Sequence, residues 1–132
     1  MRLHAKTAKI FTKEMKITLA AVRRIASSLE NVEEGTAWSF PAFRTNGRLF
    51  AAVREDLKAV VVRISFEDRD EMIAADPNTY FTTDHHRSYP CVLAHLSEIH
   101  PHAVHDLLLM GGVSWQQNRG RSGKRPLHIE EQ

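Results

Sequence analysis

The chain contains a single cysteine, Cys91, among 132 residues. One thiol cannot close an internal disulfide, so the fold needs no oxidising compartment. The N-terminus lacks a continuous apolar stretch, because Lys6, Lys9, Lys13 and Lys16 interrupt it, which argues against a secretory signal. No run approaches the roughly 18 apolar residues that a membrane-spanning helix requires. No membrane partner is therefore expected, and the cytoplasm is the expected compartment. Internal repeats and low-complexity blocks are missing as well. So are the catalytic signatures: there is no serine nucleophile elbow, no Walker loop, no dinucleotide glycine fingerprint and no HExxH. The sequence calls for no cofactor and no catalytic residue.

What remains is an ordinary globular composition, 42% hydrophobic and 26% charged. A chain of this length buries roughly two-thirds of its unfolded surface, enough for one core without staples. The formal net charge of +2 is unevenly placed. Residues 1–17 carry five Lys/Arg against one Glu, and residues 119–132 carry four against two Glu. The intervening 18–118 carry nine Lys/Arg against thirteen Asp/Glu. This divides the chain into a basic N-terminal extension (1–17), a domain (18–118) and a polar basic tail (119–132). Basic arms bind phosphate by counterion release, or are solvated termini. Lysines at helical spacing with Ala8, Ile10, Phe11 and Met15 between them suit a helical extension, a loose arm or a dimer contact.

A helix is predicted near 18–30, where Val22, Ile25, Ala26 and Leu29 fall at i, i+3, i+4 and i+7. Gly35 then breaks the chain, with Glu33 and Glu34 closing the helical region in solvent. Residues 36–65 read as three strands. Pro41 suits an edge or a strand start, and Asn46-Gly47 is a strong hairpin signal because a type I′ turn needs two positive φ angles. That turn pairs Thr45 with Arg48, Arg44 with Leu49 and Phe43 with Phe50. The two phenylalanines then face the core and Arg44 the opposite side. Ala59–Ile64 is a β-branched strand. Ser65 caps a helix that runs to about Asp76 and stops at Pro77. Tyr80–Thr83 is a short extended piece, Asp84–Pro90 a polar loop and Cys91–Leu96 another strand. A last helix begins around His100-Pro101, with Val104, Leu107, Leu108, Gly111 and Trp115 on one face. Each glycine of Gly111-Gly112 costs about 1 kcal/mol against alanine in a helix. The helix there packs very closely, kinks or ends early. The pattern as a whole predicts an α+β layer sandwich, an antiparallel sheet with helices packed over it.

One stretch, Glu33-Glu34-Gly35-Thr36-Ala37-Trp38-Ser39-Phe40-Pro41-Ala42-Phe43-Arg44 followed by Gly47-Arg48-Leu49-Phe50-Ala51, resembles the opening signature of MmcQ/YjbR proteins. Asp76-Pro77, Tyr80-Phe81 and the closing helix are similar to that family's later parts, and the likeness covers about 25–118. The resemblance implies a YjbR-like α–β sandwich with the layout of type III secretion chaperones, also compared with a double-wing DNA-binding domain. It further implies the DNA-binding label the family commonly carries. Asp84-His85-His86-Arg87-Ser88-Tyr89 departs from the aromatic- or glycine-containing stretch usual there.

Around the predicted hairpin stand Trp38, Phe40, Arg44 and Arg48, with Arg63 on the following strand and Arg87 and Tyr89 before a later one. An aromatic–arginine surface can stack bases and grip phosphates. Alternatively, Trp38 and Phe40 pack the core while the arginines pair with Glu33, Glu34 or Glu55. His102 and His105 share a helix face, but without a cysteine pair or a carboxylate signature they imply no metal. Cys91, inside an apolar run, reads as an inert buried thiol. The leading expectation is a non-catalytic DNA-binding domain whose binding residues are Trp38, Arg44, Arg48, Arg63, Arg87 and Tyr89. The alternatives are a protein-interaction or chaperone-like module, a homodimer included, and a small-molecule binder. The last would use a pocket between sheet and helices lined by Trp38, Arg44 and Tyr89.

Overall fold

The computed structural model describes residues 17–119, with side chains as far as Val113. The expected basic extension, apart from Ile17, and the polar tail beyond Arg119 lie outside the described residues. Within the described residues, three helices and six strands follow in the order α1 (Leu19–Ser27), β1 (Val32–Ala37), β2 (Phe40–Thr45), β3 (Arg48–Arg54), β4 (Ala59–Arg63), α2 (Phe66–Ala75), β5 (Tyr80–Phe81), β6 (Cys91–His95) and α3 (Pro101–Arg119). The strands form one antiparallel sheet in the order β1-β2-β3-β4-β6-β5. This is the expected α+β architecture.

Local chemistry sets the helix starts. Thr18 caps α1 by accepting the Ala21 N–H at 3.2 Å, and Ser65 caps α2 by accepting the Asp68 N–H at 3.0 Å. Val22 and Ala26 of α1 are buried, with Ile25 and Leu29 packed beside them. Val104, Leu107 and Leu108 of α3 are buried in the same cluster. That cluster joins Phe43, Phe50, Val53, Val60, Val62, Val92 and Ala94 of the sheet, and Met72 and Ile73 of α2 pack against it. All three helices therefore lie on one face. Ile17, at the end of the predicted extension, belongs to this core and donates its N–H to Leu96 O at 2.9 Å.

Three details differ from the sequence expectation. The break before the sheet falls at Asn31, whose φ of 61° a short amide tolerates. Gly35 lies inside β1 instead of ending a segment. Glu33 and Glu34 are thus exposed residues of an edge strand, where charge discourages pairing with other chains. The Asn46-Gly47 turn forms as expected, with φ of 54° and 77°, and pairs Thr45 with Arg48 and Arg44 with Leu49. The register then shifts, so Phe43 pairs with Ala51 and not with Phe50. This β-bulge keeps Phe50 and Ala51 together on the helix side.

Gly111 decides between the expectations for the last helix. A Cβ there would stand 2.7 Å from Val62 Cγ1, 3.1 Å from Phe50 Cδ2 and 3.2 Å from the Arg63 carbonyl. The helix continues through it in close contact with β3 and β4. Gly112 faces open space, and a Cβ added there would meet nothing within 4 Å. Gly111→Ala is expected to lower the unfolding free energy by about 1–3 kcal/mol through overpacking. Gly112→Ala is expected to raise it by up to about 1 kcal/mol through helix propensity. Denaturant titration of the two variants checks this, and shifts of the same sign would refute the close approach.

Candidate functional site

The face turned away from the helices is apolar beneath and polar above. Ala59, Val61, Cys91 and Leu93 are buried there, with Leu57, Phe81 and Tyr89 against them. Ala42, Leu49 and Ala52 form a second small cluster beside Ala37. No described helix covers these residues. The loop between β5 and β6 lies over part of them and is anchored by His86, only 3% exposed. Thr83 Oγ1 accepts the His86 backbone N–H at 3.1 Å and lies 2.7 Å from His86 Nδ1. The hydroxyl can accept that N–H and still donate its own hydrogen, which suits a neutral ring accepting at Nδ1. Burial, reinforced by the neighbouring His85 and Arg54, pushes the imidazole pKa down to about 4. From α2, Arg69 donates to the Arg87 carbonyl at 2.9 Å and ties the loop to the helix layer.

At the edge of this face, Ala37 pairs with Phe40, so Trp38-Ser39 is a two-residue hairpin turn. Both residues have positive φ, 53° and 73°. Type I′ turns favour Asn and Gly at these places, and a bulky residue held in the left-handed region costs on the order of 1–3 kcal/mol. The indole gains little burial in return, because Trp38 remains 48% exposed. Behind it Phe40, Ala52, Arg54, Val61 and His86 close a crevice of about 10 Å³, room for about one water molecule. The arrangement is a surface, not a pocket. Arg54 lies 4.8 Å from the Phe40 ring centroid and holds Asp56 through two bonds of 2.9 and 2.8 Å. Those bonds keep the Asp56 carboxyl below the usual carboxylate range.

Arg44 projects from the same face, opposite in the alternation to Phe43. Its guanidinium lies over Gly35, where a Cβ would be 3.3 Å from Nη1. Both terminal nitrogens approach the Thr36 carbonyl at 3.4 Å. The guanidinium is therefore laid back along β1 toward the Trp38 turn, two residues from it, and meets a carbonyl instead of a carboxylate.

The structure thus brings Trp38, Arg44 and Tyr89 to one face, with Arg87 in the loop whose His86 is anchored there. Arg87 is exposed and paired with Asp84 at 2.8 Å. The other two expected residues stand apart. Arg63 lies on this face but is 7% exposed, and burial lowers its pKa from the ordinary arginine value. Arg48 is paired with Thr45 at the hairpin tip, and Thr45 lines a cleft on the helix side. The alternative in which Trp38 packs the core fails, since the indole is half exposed. Of the carboxylates expected to pair with arginines, Glu34 takes its partner from α1. Glu34 is held by Arg23 at 2.7 Å and Arg54 by Asp56. A pocket between sheet and helices lined by Trp38, Arg44 and Tyr89 is not formed, because these residues lie on the opposite face. The cleft on the helix side, about 210 Å³, is lined instead by Leu29, Asn31, Val32, Thr45, Phe50 and Gly112, among others. Arg54 escaped the sequence reading because simple alternation from Phe50 assigns it to the core side; the bulge moves it across. Among the described residues no three His, Cys, Asp or Glu side chains are grouped to hold a metal ion. No described helix is long and apolar enough to cross a membrane.

An antiparallel sheet with helices on one face and an aromatic–arginine surface on the other defines the class of protein. The YjbR family model matches residues 27–118, and the chain belongs to the MmcQ/YjbR family. No curated protein and no solved structure matches it.

His86 makes stability depend on pH. Its folded pKa lies below the ordinary value, so the unfolded chain binds the proton more readily. Stability is complete above about pH 6.5 and falls as pH drops toward 4. The loss from this residue is at most about 3 kcal/mol. Unfolding free energies measured from pH 7 to 4 should show a steeper decline for the unaltered chain than for His86→Asn. Parallel curves would show that His86 is not held neutral.

Proposed function

We propose that the chain is a non-catalytic, cytoplasmic DNA-binding domain that uses the face opposite its helices. The observation that carries this reading is Trp38, held half exposed in a backbone conformation that a bulky residue avoids. A strained, exposed aromatic is costly to the fold, and such costs concentrate where a ligand is met. An indole provides a stacking surface for bases, and Arg44 on the same face, with Arg87 in the neighbouring loop, provides charge for phosphates. The commonly applied label of the MmcQ/YjbR family points the same way. The acidic balance of residues 18–118 makes the contact local, confined to these few groups.

A second reading rests on a different surface. Leu109, Met110 and Val113 of α3 are exposed, and Leu109 and Val113 border the cleft on the helix side. Exposed apolar residues grouped beside a concavity favour a protein partner, a second copy included.

Fluorescence anisotropy of labelled DNA against the full chain, across a salt series, tests the first reading. Trp38→Asn is expected to weaken binding by roughly 5- to 150-fold, the value of one base–aromatic stack. It should not lower the unfolding free energy, because asparagine tolerates the left-handed turn. Arg44→Gln is expected to reduce the salt slope by about one. Unchanged binding in both variants would refute the assignment of this face.

A further inference from the structure

The same surface bears on which form of DNA it takes. We infer that the ligand is single-stranded DNA, with an unpaired base stacked on Trp38 and a neighbouring phosphate at Arg44; this rests on the DNA-binding reading above.

Three observations support it. The first is the kind of contact on offer. The exposed group at the β1–β2 turn is an indole face with one hydroxyl beside it, from Ser39. Inside a duplex each base is already stacked on both sides, so its π-face is out of reach. An unpaired base leaves that face open, and stacking on aromatic side chains is how single strands are commonly held. The second is the shape of the face. Reading the major groove takes a helix or a two-stranded ribbon carrying donors and acceptors to the base edges. All three described helices lie on the other side of the sheet, the β1–β2 ribbon ends in Trp38-Ser39 without a cation at its tip, and Arg48 at the β2–β3 tip is paired with Thr45, which lines the helix-side cleft.

The third is charge. A duplex presents a phosphate charge about every 1.7 Å, against about every 3.4 Å for one strand. The cations on this face are few and interspersed with acids. Glu33 is the cross-strand neighbour of Arg44, Asp56 holds Arg54, and in the loop beside the face Asp84 holds Arg87. A sparse row of charges matches one strand better than two. Arg44 is the cation best placed to meet a phosphate, because its guanidinium rests against a carbonyl at a long 3.4 Å. Its contact with the Thr36 carbonyl sets it two residues along β1 from Trp38, which suits a base on the indole and a neighbouring phosphate at the guanidinium.

The test compares a single strand with the duplex of the same sequence and length, at about 150 mM salt. The full chain carries Trp115→Phe, so that the remaining indole, Trp38, reports stacking directly. The expected result is quenching of Trp38 emission by the single strand and binding at least roughly tenfold tighter than to the duplex. Adding Trp38→Asn should remove that preference. A competition assay with labelled strands on the unaltered chain gives the affinity ratio independently, should Trp115→Phe disturb folding. Equal or tighter binding of the duplex, without quenching, would overturn the single-strand inference and leave DNA binding intact. Binding of neither form would overturn both.

Discussion

Helix α3 lies against β3 and β4 at a distance that only a glycine permits, with Val62, Phe50 and the Arg63 carbonyl all within 3.2 Å of where a Gly111 Cβ would be. That contact settles which face of the sheet is sealed. With α3 seated over the central strands, α1 packs beside it and α2 occupies the β5–β6 end. The bulge at Phe50 serves the same contact, since it keeps Phe50 and Ala51 both turned toward the helices. One interior contact thus accounts for the one-sided layering and for the change of side at Arg54.

The consequence on the other face is a surface assembled from turns and a loop. The residues beneath are small, Ala42, Ala52 and Ala59 among them, which lets the β5–β6 loop lie close to the strands. A neutral, buried imidazole anchors it. At the margin, the sheet gives up stability to hold a tryptophan in a left-handed turn. These features belong together. A face with one exposed aromatic at its edge and a guanidinium beside it suits an extended ligand lying along it, and the crevice behind Trp38 is too small to admit one.

Much of the architecture is legible in the sequence because its signals are local. The stripe of Val22, Ile25, Ala26 and Leu29, the Asn46-Gly47 turn, the Ser65 cap and the β-branched run at Val60–Val62 each act within a few residues. What escapes is what depends on distant contact. Gly35 reads as a break, yet it is the place in β1 where the Arg44 guanidinium needs room. The bulge carries no motif of its own, because Phe50 and Ala51 share a side only when α3 is present to cover them. Trp38-Ser39 does not look like a type I′ turn, since neither residue favours positive φ. The departure of that turn from the usual preference is itself the pointer to the site. The split of the arginines is likewise invisible in sequence. Burial of Arg63 and the helix-side position of Arg48 follow from pairing across the sheet, while Arg44 reaches the open face.

The central question is which face meets the ligand. Backbone amide chemical shifts of the labelled full chain, followed during titration with a short single-stranded oligonucleotide, test this directly. The perturbed amides are expected to cluster at Gly35–Ser39, at Arg44 and in the His85–Tyr89 loop, while those of α1 and of α3 from Pro101 to Val113 stay in place. Shifts concentrated on α1 and α3, or around Leu29–Val32, would contradict this and move the functional surface to the helix side.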